Sequence, residues 1–189
     1  SISLGYTKAV QELLAGKANV QRPLNAKGGF LNCQGTTFGV EKIDEWLGET
    51  KWDVIHFNFG LHDLKHVDAE TGKNSNNPED PQQADPKQYK KNMKAIVKRL
   101  KATGASLIFA TTTPYPDKPG GPLRRADQPA IYNKVALKIM KRNKVMINDL
   151  YAFALPRLEK LQQPNNVHFS KEGSMELAKQ VVEKILLVI

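Results

Sequence analysis

Apolar positions along the chain follow two periods, one of about 3.6 residues and one of short continuous runs. Between residues 6 and 15, Val10, Leu13 and Leu14 give a helix-like apolar face, and Gly16 ends it. "ANVQ" at 18–21 reads as a short strand. A Gly- and Asn-rich loop follows, and then Val40, Ile43 and Leu47 recur at helical spacing up to Gly48. "WDVIHFNFG" at 52–60 is rich in β-branched and aromatic residues and stops at a glycine, which predicts a buried strand. Residues 66–86 crowd Asn, Asp, Pro and Gly and predict a loop. Tyr89, Met93, Ile96, Val97 and Leu100 then mark an amphipathic helix closed by Gly104. "SLIFATT" predicts the next strand, followed by a Pro/Gly-rich loop over 114–123. Ile131, Val135 and Ile139 predict another helix, "VMIND" another strand, and residues 150–162 a further helix. Met175, Leu177, Ala178, Val181, Val182 and Ile185 define the last helix, and the closing "ILLVI" reads as its tail, buried in the core.

Short strands separated by helices of this length imply parallel pairing through crossover connections. The expected fold is α/β, a three-layer α/β/α sandwich, with the 189 residues in one domain. In such folds ligands sit at the carboxyl ends of the strands. The polar departures from the apolar pattern cluster there: "GLHD" after the first long strand, "TTTPYP" after the second, "NDLY" after the third.

Charge and composition narrow the function. The net charge of +9 invites a nucleic-acid reading. The lysines, however, lie on helix faces such as "KKNMKAIVKRLK", among core positions rather than stacking aromatics, which predicts a solvated face and no nucleic-acid partner. No apolar run approaches 18 residues, so no membrane-spanning helix is expected. Cys33 stands alone, and neither a phosphate-binding glycine loop nor a His-Glu-x-x-His pair occurs. The expectation is chemistry without metal or cofactor, built from serine, histidine and carboxylate.

Of four histidines, His56 lies inside an apolar strand and reads as a core side chain, while His66 opens the polar loop and reads as solvent-facing. His168, in "NNVHFS", is flanked by the apolar anchors Val167 and Phe169. A histidine held between core residues ahead of a helix suits either a general base or simple packing.

"SISLGYT" resembles the tail of the Gly-Asp-Ser block of the SGNH, or GDSL, hydrolases. "NCQGTTFGV" is similar to that family's second block, "FGLHDL" to its Gly-x-Asn-Asp block and "NNVHFS" to its Asp-x-x-His block, all in family order. The resemblance implies a flavodoxin-like parallel sheet and a serine esterase acting on short acyl, acetyl-type esters, including carbohydrate esters. By position Ser1 corresponds to the nucleophile, His168 to its base, and the N–H groups of Ser1 and Gly35 to oxyanion donors, with Gly39 the fallback for Gly35. His62 stands where the family has its donor asparagine, and Asn165 where it has its aspartate. The resemblance thus implies a Ser-His dyad with Asn165 as orienting amide; Asp63 and Asp149 are the alternative carboxylates. Ser3 is expected to face away or cap the first turn. The family also places a strand ahead of its first block, so about ten upstream residues, or a substitute segment, are expected. Arg124 and Arg125 read as solvated, with an acidic sugar as the alternative contact. The reading from another class is a catalytically silent carbohydrate-binding relative, in which His62 and Asn165 mark the loss of activity.

Overall fold

The computed structural model describes residues 1–117 and 119–189. Its centre is a parallel three-stranded sheet of β1 (Val54–Phe57), β2 (Ser106–Ala110) and β3 (Met146–Asn148), in that spatial order. Val54 pairs with Ser106 and Phe57 with Phe109; Ile108 pairs with Met146 and Ala110 with Asn148. Helices connect the strands: α3 (Pro86–Lys101) between β1 and β2, and α4 (Gln128–Asn143) between β2 and β3.

The period-2 alternation of β2 separates the two cores. Phe109 points into a layer with Met93, Ile96 and Leu100 of α3 and Tyr132 of α4, joined by Ile43 of α2 (Thr36–Leu47). Ile108 and Ala110 point the other way, against Tyr6 and Val10 of α1 (Ile2–Leu13) and Leu177 and Val181 of α7 (Lys171–Leu186). This is the expected α/β/α sandwich. The seam between α1 and α7 is tight, because a Cβ on Gly5 would lie 2.9 Å from Ser174 Oγ.

Helix starts follow their capping chemistry. Asp85 accepts the Gln88 N–H at 2.7 Å, with Pro86 in the first turn where it lacks no needed donor. Ser170 accepts the Gly173 N–H at 2.9 Å and so opens α7 two residues after His168.

Several expectations are corrected. Residues 18–21 run without a ladder partner and are not a strand; the Val20 carbonyl instead accepts from Gln11 Nε2 at 2.9 Å. The helix expected over 150–162 is broken into α5 (Leu150–Ala154), a 3₁₀ turn (Leu155–Arg157) and α6 (Leu158–Leu161), with Pro156 in the 3₁₀ turn. The terminal "ILLVI" is not core: only Ile185 is buried, while Leu187 is 64% exposed. Val40 and Ile131 are also exposed although they keep helical spacing. The 66–86 loop is stapled by two antiparallel bridges, His66 with Gln82 and Val67 with Asn74. His66 is consequently buried, its Nδ1 2.7 Å from the Asp80 carbonyl, and does not face solvent. Among the described residues no helix is long and apolar enough to cross a membrane.

Candidate active site

At the carboxyl ends of the strands lies a cleft of about 50 Å³, whose lining includes Ser1, Ser3, Asn32, Gly60, His62 and Thr113. Its floor is fixed by backbone geometry. Gly60 follows β1 with φ +151°, and a Cβ there would sit 2.2 Å from Thr112 Oγ1, so only glycine allows the turn. Thr112 in turn is clamped by Asn133, whose side-chain oxygen accepts the Thr112 N–H and whose Nδ2 donates to the Thr112 carbonyl, both at 2.8 Å. Thr113, next along, is buried, and among the described residues its Oγ1 has no partner.

Ser1 is the N-cap of α1, but its hydroxyl makes no capping hydrogen bond. Its nitrogen donates to Asn32 Oδ1 at 3.2 Å. Asn32 Oδ1 also accepts the Gln34 N–H at 3.3 Å, which orients the amide so that Nδ2 lies 3.5 Å from His62 Nε2. With Nε2 accepting from that amide, the His62 proton belongs on Nδ1. Burial first, and then the positive charges of Lys65, Arg124 and His168, push the His62 pKa down. The ring is therefore neutral at physiological pH.

His168 is exposed on the loop before α7, with Val167 and Phe169 buried on either side of it. Asn166 Oδ1 accepts both the His168 backbone N–H at 3.0 Å and its Nδ1–H at 2.8 Å. The proton is thus held on Nδ1, and the Nε2 lone pair is left free. Partial desolvation of the ring, followed by the Arg124 charge, lowers the His168 pKa below its usual value.

The profile of the GDSL-like lipase/acylhydrolase family matches residues 3–175. The chain belongs to this family. As a GDSL-like acylhydrolase it is a carboxylic ester hydrolase. No curated protein matches the sequence significantly. Among solved structures it is similar to an acetyl xylan esterase, AlAXEase, with TM-score 0.72 at 15% identity over 97% of this chain and 91% of that one. A lipase/acylhydrolase from Enterococcus faecalis gives TM-score 0.70 at 16% identity, over 98% and 91% of the two chains. An acetyl-xylooligosaccharide esterase from Geobacillus Stearmophilus gives 0.69 at 17%, over 96% and 80%. At these identities the likeness is one of fold.

The residues expected from the GDSL-like blocks are not all gathered in the cleft. Ser1 and His62 line it. Gly35 stands just beyond the lining residue Gln34, as the N-cap of α2. Gly39 does not serve as a donor: its N–H bonds the Gly35 carbonyl at 3.0 Å inside the helix, and a Cβ would strike Phe59 at 2.8 Å. Asn165 is not the amide on His168. Its backbone turns left-handed (φ +52°) and its carbonyl accepts the Gly120 N–H at 2.7 Å, while the next residue, Asn166, meets the imidazole. Asp63 is fully buried, bonded to the Thr36 hydroxyl and, at 2.7 Å, to the Thr36 N–H, where it caps α2. Asp149 accepts from Thr111 Oγ1 at 2.9 Å and from the Ala152 N–H at 3.1 Å. Neither carboxylate hydrogen-bonds a histidine among the described residues. Ser3 does not face away; it lines the cleft, and its hydroxyl accepts from Arg22 at 3.2 Å. His56 is half-buried rather than part of the core, edge-on to Tyr6 and 3.3 Å from Asn148 Nδ2, and desolvation of its ring lowers its pKa to about 4. Sequence reasoning missed Asn32, Asn166 and Thr113. The "NN" doublet and "LNCQG" carried the first two, with no cue to which amide would face a ring.

Proposed function

We propose that the protein is a serine esterase for short acyl esters, with Ser1 as nucleophile and His168 as general base. The observation that supports it most is the state of the His168 ring: Asn166 holds the Nδ1 proton, so Nε2 is a free base. In this reading the Ser1 hydroxyl, which caps nothing, attacks the ester carbonyl as its proton passes to His168 Nε2. The tetrahedral oxyanion takes hydrogen bonds from the Gly35 N–H and from the His62–Asn32 pair, and each such donor is worth roughly 2.7–4 kcal/mol of barrier. The imidazolium returns its proton to the leaving alkoxide, and water repeats the sequence on the acyl-enzyme. An amide at Nδ1 fixes the tautomer but does not neutralise imidazolium, so this dyad is weaker than one backed by carboxylate.

A cleft of about 50 Å³ favours acetyl or similarly short acyl groups. The carbohydrate direction is supported by two of the similar structures, an acetyl xylan esterase and an acetyl-xylooligosaccharide esterase. The test is hydrolysis of 4-nitrophenyl acetate combined with fluorophosphonate labelling and mapping of the modified residue. Turnover with label on Ser1 supports the reading. Label on another residue overturns the assignment, and absence of both label and turnover points to a silent carbohydrate-binding relative.

A further inference from the structure

Arg124 is a charged side chain only 8% exposed. Among the described residues its one hydrogen-bond partner is the Leu61 carbonyl, to which Nε donates at 3.2 Å. Among the described residues no carboxylate pairs with it, and the ion pairs found are between other residues, such as Arg99 with Asp44 and Lys179 with Glu176. The side chain is packed in without a counter-charge while its two Nη groups keep solvent contact, and those groups form the planar fork that suits a carboxylate.

Its position gives that fork a purpose. Leu61 lines the cleft next to His62. The Arg124 loop is tied to the His62 side by the His66 N–H on the Leu123 carbonyl at 3.0 Å, and to the His168 side by the Gly120 N–H on the Asn165 carbonyl at 2.7 Å. Arg124 therefore sits between the segments bearing the two histidines, and its charge reaches both rings. Asp63, next to His62 in sequence, is committed to Thr36, and Asp149 to Thr111. An orphaned group in the cleft points the same way: among the described residues Thr113 Oγ1, in the lining, is buried without a partner. Arg125, by contrast, is exposed.

We propose that Arg124 binds a carboxylate on the alcohol side of the substrate, so that the preferred esters are short acyl esters of acidic alcohols, such as an acetylated uronic acid unit. The proposal rests on the esterase reading above. The alcohol side follows from position, because Arg124 is not among the residues lining the cleft that would take the acyl group.

The test compares two isosteric esters, 3-acetoxybenzoate and 3-acetoxybenzamide, and in parallel the equilibrium binding of their products, 3-hydroxybenzoate and 3-hydroxybenzamide. The parent is expected to favour the carboxylate by tenfold or more in kcat/KM, mainly through KM, and to bind 3-hydroxybenzoate more tightly than its amide. Arg124→Met should bring both ratios to about one, and Arg124→Lys should keep part of them, since a point charge replaces the fork. If Arg124→Met fails to fold, the lysine variant and loss of the parent's preference with added salt carry the same information. Equal handling of acid and amide by the parent, in turnover and in binding, overturns the proposal. Discrimination in binding with no turnover of either ester supports anion recognition by Arg124 and overturns the esterase reading instead.

Discussion

The Asn166 side-chain carbonyl grips His168 at two points, the backbone N–H at 3.0 Å and the ring Nδ1–H at 2.8 Å. One neutral acceptor thereby sets both the position and the tautomer of the proposed base. Asn166→Ala should lower kcat, because the ring loses its fixed proton and its orientation. Asn166→Asp should raise kcat by adding charge opposite the imidazolium. His168 starts from a lowered pKa; a carboxylate favours the protonated ring and raises it. The free base is the active form, so the acid limb of the kcat/KM profile should move to higher pH in Asn166→Asp. A profile unchanged in both variants would make Asn166 a bystander.

Ser1 and Ser3 line the same cleft and differ in commitment, since only the Ser3 hydroxyl is held by Arg22. Ser1→Ala should reduce kcat by about 10⁴-fold or more, the scale seen when a nucleophile is removed. Ser3→Ala should retain most activity while loosening the Arg22 contact. Initial rates on 4-nitrophenyl acetate decide between them, and the reverse pattern would move the nucleophile to Ser3.

Asp63 gives a stability signature. Burial outweighs its bonds from Thr36 and raises its pKa from 3.8 to about 6. The folded protein therefore holds this proton over a range where the unfolded chain has released it. Its contribution to stability is greatest below about pH 4 and declines as pH rises toward 6. Asp63→Asn keeps an acceptor for the Thr36 N–H and should remove this decline, leaving the variant as stable as the parent or more so at pH 7. Urea unfolding at pH 4.5 and 7 measures the difference, and an unchanged slope would show that Asp63 is ionised throughout.

Gly60→Ala should be among the most damaging single-methyl changes. It combines φ +151° with a Cβ 2.2 Å from Thr112 Oγ1. The backbone strain alone is worth about 1–3 kcal/mol. Thermal melting should show a clear drop in Tm, with kcat falling as well because the turn carries His62.

Much of the scaffold was legible because it follows local periodicity. The helices appear where 3.6-residue spacing and capping residues coincide, as at Asp85-Pro86 and Ser170, and the three strands where β-branched and aromatic runs end at polar residues. What escaped depends on contacts between distant segments. His66 looks polar and exposed in "DLKHVD", yet its burial comes from the Asp80 carbonyl fourteen residues on. Asn165 and Asn166 are chemically identical neighbours, and only the left-handed backbone at the first decides that the second meets the imidazole. Arg124 and Arg125 are likewise indistinguishable in sequence, and the fold buries one of them.

The close fit of Gly5 against Ser174 places the proposed nucleophile and base under one mechanical constraint. Ser1 opens α1 and His168 precedes α7, so the distance between serine and imidazole is inherited from how these two helices slide on each other. A methyl at Gly5 displaces only the Ser174 hydroxyl, whereas a larger side chain would act as a spacer inserted far from the reacting atoms, prising the pair apart while the sheet and the α3/α4 layer stay intact. Catalysis should therefore fail at a lower temperature than the fold, and the gap between inactivation and melting becomes a gauge of that single seam.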